Sequence, residues 1–171
     1  MRLLQRLVLT GLLILSLTSS AAAVDLVFRA ELSGNSEIPA VKTPATGAVM
    51  LRVSDSVLSF ELRVEDLAAP TAAYIHLGSR GEDGPPIAGL FGGPAKYTRF
   101  SGTLAGGEIT DRNLLGDLQG KKVADLISLI KSGKTYVNVM TETFPAGEIR
   151  GQIEPSSGAP LAKGELARKE R

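Results

Sequence analysis

Three stretches of the chain alternate apolar and polar residues with a period of two, and this rhythm constrains the fold more than any other feature. Leu26, Phe28, Ala30 and Leu32 alternate with Val27, Arg29 and Glu31. Val49, Leu51 and Val53 alternate with Ala48, Met50 and Arg52. Leu58, Phe60, Leu62 and Val64 alternate with Val57, Ser59, Glu61 and Arg63. Successive side chains of a strand point to opposite faces, so each stretch predicts a strand with one buried face. Asp55-Ser56 fits a two-residue turn and predicts that the second and third strands form a hairpin.

The same pattern predicts strands over Ala72–Leu77, Thr135–Thr141 and Glu148–Glu154, with a weaker one over Tyr97–Leu104. Val123, Leu126, Ile127 and Ile130 break the rhythm. Their i, i+3, i+4, i+7 spacing is helical, and Gly133 follows as a stop. Asp111 is expected to cap a shorter turn carrying Leu114, Leu115 and Leu118. Gly78–Pro94 holds six glycines and three prolines and is expected to be one long surface loop. Together these predict an all-β, antiparallel, Greek-key-like sandwich or barrel of about seven strands or more, with one helical crossover before the final hairpin.

The first residues read as an address. Arg2 and Arg6 precede the apolar run Leu7–Leu17, and Ser20-Ala21-Ala22-Ala23 ends in a small-x-small pattern. This predicts a signal peptide over residues 1–23, an exported chain (periplasmic or extracellular) and no membrane span after cleavage, since eleven apolar residues fall well short of the roughly 20 that a spanning helix needs. The folded domain is then expected over 24–154, and the charged residues 155–171 as a disordered tail. Loss of Arg2 and Arg6 takes the formal charge from +1 to −1. That balance argues against nucleic acid as a partner. The chain has no Cys and one His, which excludes disulfides, thiolate metal sites and any multi-histidine centre within the chain. No G-x-S-x-G, phosphate-loop, calcium-loop or dinucleotide pattern is present.

The candidate chemistry lies on the strand faces turned away from the core. In Thr135–Thr141 the inward residues are Val137 and Val139, leaving Tyr136, Asn138 and Met140 on the other face. In Glu148–Glu154 the outward set is Glu148, Arg150 and Gln152. A hairpin centred near Phe144 sets Met140 against Glu148, Asn138 against Arg150 and Tyr136 against Gln152, with the helical crossover as a natural cover. Tyr74 and His76 share the outward face of their strand. His76, one residue before the Gly-rich stretch, is expected to be both fixed and accessible. Arg150 can take a carboxylate in two-pronged fashion, either Glu37 internally or an acidic ligand externally. Such a band is either a ligand site or a structural polar cluster.

The residues also resemble a known family. Phe28-Arg29-Ala30-Glu31-Leu32-Ser33-Gly34-Asn35-Ser36-Glu37-Ile38-Pro39 resembles the opening F-x-A-x-L-S-G-x-x-E-x-P-P of the CHRD (chordin-type) domain. Thr71–Gly78 resembles its A-H-I-H-x-G segment. Tyr136–Thr141 and Pro145–Ile153 resemble its closing Y-V-N-V-H-T and P-x-G-E-I-R-G-Q-I. The resemblance implies a secreted β-sandwich with a binding role. Tyr74 and Met140 stand where the pattern has histidines, so only His76 remains of that set.

The expectation is an exported, non-enzymatic binding or structural module for an unknown protein or small ligand, with no cofactor. Glu37, His76, Asn138, Glu148 and Arg150 are its candidate ligand-binding residues. One alternative is a periplasmic copper protein in which His76 and Met140 hold a soft ion, with Met50 as a third ligand if its strand faces the same site. A second is an enzyme of unknown class.

Overall fold

The computed structural model describes residues 26–54, 56–93 and 98–156. The expected signal peptide and residues 157–171 of the expected tail lie outside them. Among the described residues nine strands follow in order: β1 (Leu26–Ser33), β2 (Thr46–Ser54), β3 (Val57–Ala68), β4 (Pro70–Leu77), β5 (Pro86–Gly92), β6 (Arg99–Ile109), β7 (Thr135–Thr141), β8 (Ile149–Gln152) and β9 (Glu154–Ser156). One helix, α1 (Val123–Lys131), precedes β7. All pairings are antiparallel, in the order β5-β4-β7-β8-β1-β2-β3-β6, with β9 on β1. The path curls until its end strands β5 and β6 approach each other, giving a nearly closed, barrel-like sheet. The expected all-β antiparallel architecture with a helical crossover is what forms.

The alternation acts as anticipated along β3 and along β1 from Phe28 onward, while at the start of β1 Leu26 is exposed and Val27 buried. Phe28, Ala30, Leu32, Leu58, Leu62 and Val64 face the interior and are buried. The β2–β3 hairpin closes with Ser54 opposite Val57. On β2 both faces are covered, because Ala48 and Met50 are buried along with Val49 and Leu51. Their neighbours across the sheet are Glu31, Arg29, Arg63 and Glu61, long side chains whose stems shield small apolar groups.

Three expectations are corrected. First, Gly78–Pro94 is not one loop. Residues 86–92 form β5 on the edge of β4, with Ile87, Ala88 and Leu90 buried. Pro86 is tolerated because it opens an edge strand, where a missing N–H costs no ladder bond. Second, α1 does not cover the polar band. Leu126, Ile127 and Ile130 join the apolar interior, so the helix lies on the core side. It ends as expected: Gly133 has φ +69, its N–H donates to Ile130 O at 3.0 Å, and Lys134 N–H donates to Leu129 O at 3.3 Å, a Schellman closure. Third, Asp111 serves the long helix rather than its own short turn. Its carboxylate accepts from the Val123 N–H and from Lys122 Nζ, each at 2.9 Å. The 111–113 turn is capped by Thr110 and Asn113 instead.

The final strand is also divided. β8 crosses from β7 to β1, where Arg150 pairs with Ser33, and β9 continues along β1 with Glu154 opposite Arg29. Pro155 and Ser156 therefore belong to the sheet rather than to a tail.

Candidate functional site

The hairpin register places the outward side chains in rows. Across β7 and β8, Tyr136 faces Gln152 and Asn138 faces Arg150. Across β4 and β7, His76 faces Tyr136 and Tyr74 faces Asn138. Residues 78–85 fold back over this surface. They are anchored by Leu77 N–H to Pro85 O and Gly78 N–H to Lys134 O, both 3.0 Å. Gly84 makes the approach possible, since a Cβ there would overlap the Leu77 carbonyl oxygen.

Arg150 occupies the centre. Its side chain is 4% exposed. Its Nη1 donates to Asp83 Oδ1 at 2.5 Å, its Nη2 donates to Glu82 O, and its guanidinium carbon sits 3.4 Å from the centroid of the Tyr136 ring. A cation over a desolvated aromatic face contributes about 2 kcal/mol. The expected two-pronged grip on one carboxylate does not form, because the fork divides between a carboxylate and a backbone carbonyl of the same loop.

His76 stacks on Tyr136, with ring centroids 5.0 Å apart and planes 21° apart. Its Nδ1 lies 2.9 Å from Gly84 O. The Tyr136 hydroxyl donates to that oxygen and accepts from Gly84 N–H, both at 3.2 Å. Burial, and after it the Arg150 charge, hold the imidazole below its ordinary pKa. The neutral ring therefore donates Nδ1–H to Gly84 O and leaves Nε2 as a bare acceptor. His76 is fixed but not accessible, being 6% exposed, because the folded-back loop roofs it.

Glu148 is buried next to this cluster, where its carboxylate accepts from Thr43 Oγ1 at 2.6 Å and Thr141 Oγ1 at 2.8 Å. It ties the segment after β1 to the last hairpin. Glu37 enters from the same segment, just beyond the 3-10 turn at Gly34–Ser36, and is 9% exposed. Burial raises its pKa from 4.5 to about 7, against the lowering influence of Arg150. Asn138 Nδ2 donates to Ala146 O at 2.9 Å. Glu37 Oε1, Asn138 Oδ1 and His76 Nε2 have no protein hydrogen-bond partner.

Four of the five expected residues thus surround one cluster, with Glu148 beside it. The CHRD domain family model matches residues 28–153, from the third residue of β1 to the residue between β8 and β9. The chain belongs to the CHRD domain family. No curated protein and no solved structure matches it.

The CHRD domain does not bring His76 and Met140 together. His76 lies opposite Tyr136 and Met140 opposite Ala72. Four residues of strand separate the rows, roughly 13 Å at about 3.3 Å per residue. Two ligands of one ion must each approach within about 2.5 Å of it, and the register does not set these two residues side by side. Met50 sits on β2, three strands along the sheet from β7, and adds nothing to it. Among the described residues no group of three or more His, Cys, Asp or Glu side chains is placed to hold a metal ion, and no helix is long and apolar enough to cross a membrane.

Sequence reasoning missed Asp83 and the Glu82 carbonyl as partners of Arg150. Only the presence of acidic residues in a Gly-rich stretch hinted at them. It also missed a polar groove of about 390 Å³ on the same face of the CHRD domain. The groove is lined by Arg29, Glu31, Ser33, Arg80, Gln152 and Glu154 among others. Within it Arg29 pairs with Glu31 and Arg80 with Glu154, each at 2.5 Å.

Proposed function

We propose that the mature chain is an exported, non-enzymatic binding or structural module in which the buried polar cluster is a fastener, not a reaction centre. The observation that carries this reading is the commitment of Arg150 to Asp83, Glu82 and Tyr136 at 4% exposure. A group in that state cannot meet an external carboxylate without first releasing the loop. Membership of the CHRD family supports a binding or structural role, and the basic, apolar, small-residue leader supports export. Contacts with a protein or small ligand then fall to exposed surface, for which the Arg29–Arg80 groove is one concavity beside the cluster.

The test is proteolysis of the exported protein. Recovery from the exported fraction with Val24 as first residue is expected, and retention in the cytoplasm with Met1 intact overturns the export reading. Arg80 is an exposed tryptic site in the fastened loop, its side chain 70% exposed. Arg150→Ala should speed cleavage after Arg80 at least tenfold under native conditions. Equal rates in the two proteins, or substrate turnover that depends on His76, overturn the fastener.

A further inference from the structure

Glu37 and Asn138 turn two buried oxygens towards one place. Both Glu37 Oε1 and Asn138 Oδ1 lie within 2.7 Å of the point where a Cβ on Gly147 would stand. They are therefore no further apart than twice that distance. Neither has a hydrogen-bond partner. The amide cannot solve this by turning over, because Ala146 O needs the Nδ2 donor it now receives at 2.9 Å. Two lone-pair oxygens facing one buried space are both left unsatisfied unless something with a positive end stands between them.

We propose that a proton stands there: Glu37 is carried as a neutral carboxylic acid whose O–H donates to Asn138 Oδ1, latching the 34–43 segment to the β7–β8 hairpin. One proton then satisfies both oxygens, and Gly147 is required because any side chain would enter the gap. The other charged and titratable groups of the cluster are Arg150 on β8, Asp83 in the fold-back loop, His76 on β4, Tyr136 on β7 and Glu148 at the entry to β8. Arg150 favours ionisation of Glu37, while burial and Asp83 oppose it. Burial is the largest influence, and the pKa stands at about 7. The latch is thus closed in mildly acidic surroundings and opens as pH rises through neutrality. The Thr43–Glu148 bond holds the far end of the segment in both states. The inference goes beyond the module reading and stands or falls separately from it.

The experiment is a side-chain carboxyl NMR titration of the mature protein from pH 5 to 8.5 in chelator-containing buffer, with Glu37 assigned by its disappearance in Glu37→Gln. The Glu37 carbon should titrate with a midpoint near 7, and the Asn138 side-chain amide signals should move with the same midpoint. Asn138→Ala, which removes the acceptor, should lower the midpoint by at least half a pH unit. A Glu37 midpoint in the ordinary carboxylate range overturns the latch. So does an Asn138 amide that stays still while Glu37 titrates. A midpoint that shifts when the chelator is replaced by a divalent cation overturns it too, because a metal then fills the gap. Should Glu37→Gln fail to fold, the wild-type and Asn138→Ala titrations decide between the same outcomes.

Discussion

The guanidinium of Arg150 lies 3.4 Å over the ring of Tyr136 while its two terminal nitrogens hold the loop that roofs them both. The relationship predicts unequal effects at the two ends of the Arg150–Asp83 pair. Arg150→Ala removes a ring contact and two charge-assisted hydrogen bonds from a buried place, at a cost of about 2–4 kcal/mol. Asp83 is 62% exposed on its side chain. Asp83→Asn should therefore cost only about 0–1 kcal/mol, as exposed pairs do. Arg150→Lys should resemble the alanine variant, because an ammonium cannot serve a carboxylate, a carbonyl and a ring face at once. Urea unfolding of the three variants checks the order, and equal losses for Arg150→Ala and Asp83→Asn would show the ring contact to be idle.

The entry to α1 offers a second prediction. Asp111, twelve residues before the first helical residue, accepts the Val123 N–H that the helix leaves unpaired. Its bonds to Lys122 and Val123 hold its carboxyl below the usual range. Asp111→Ala should lower the melting temperature of the domain, as loss of an N-terminal cap does. Asp111→Asn keeps the acceptor and should lose less. Thermal unfolding of Asp111→Asn and of Lys122→Ala separates the cap from the Lys122 ion pair, since the first keeps the acceptor and the second removes only the cation.

The outward rows of the last hairpin were legible because alternation plus one turn sets the cross-strand neighbours within the ladder. Tyr136 opposite Gln152 and Asn138 opposite Arg150 follow from counting away from Phe144, whereas the expected pair Met140 with Glu148 falls outside the ladder, which ends at Val139 and Ile149. The partners of Arg150 were not legible in this way. Asp83 reaches it only because Gly84 lets the loop press on Leu77, a tertiary approach that leaves no period in the sequence. β5 was hidden for a related reason. Its Pro86, Gly89 and Gly92 read as loop residues, yet an edge strand needs few ladder bonds, and Ile87 and Leu90 supply the burial. The helix spacing was plain, but periodicity alone does not say which face of a sheet a helix covers. Leu126 and Ile130 went to the interior because the nearly closed sheet leaves apolar space there to fill.

Two glycines should respond to alanine for different reasons. At Gly84 a Cβ collides with the Leu77 carbonyl oxygen, a backbone atom that cannot swing aside. Gly84→Ala should cost at least about 1–3 kcal/mol and free the loop, as forced overpacking does. At Gly81 the space is open but φ is +84. Gly81→Ala should cost only about 1–2 kcal/mol of backbone strain and leave the Arg150 contacts in place. Denaturant midpoints give the energies, and trypsin cleavage after Arg80 reports the loop. Rapid cleavage in Gly81→Ala but not in Gly84→Ala would reverse the assignment.

Glu37 and His76 should oppose each other in the pH dependence of stability. The Glu37 carboxyl is raised from 4.5 to about 7. Between those values the folded protein keeps a proton that the unfolded chain has released. Its contribution is complete below pH 4.5, falls as pH rises, and is gone above about 7. His76 is lowered from 6.5. Its contribution is complete above pH 6.5 and erodes as pH falls, because the unfolded chain then gains a proton that the buried ring resists. From pH 4.5 to 6.5 the two slopes have opposite signs, so the wild-type curve should be flatter than either group alone would make it. Glu37→Gln keeps a donor for Asn138 and removes the falling slope, so its stability should rise up to about pH 6.5 and then level. His76→Phe keeps the stack on Tyr136 and removes the rising slope, so its stability should fall from pH 4.5 to about 7. Urea midpoints for the three proteins across pH 4.5–8 make the comparison. Parallel curves would mean that neither group changes its proton affinity on folding, and the burial of both would then have to be relieved by water within the cluster.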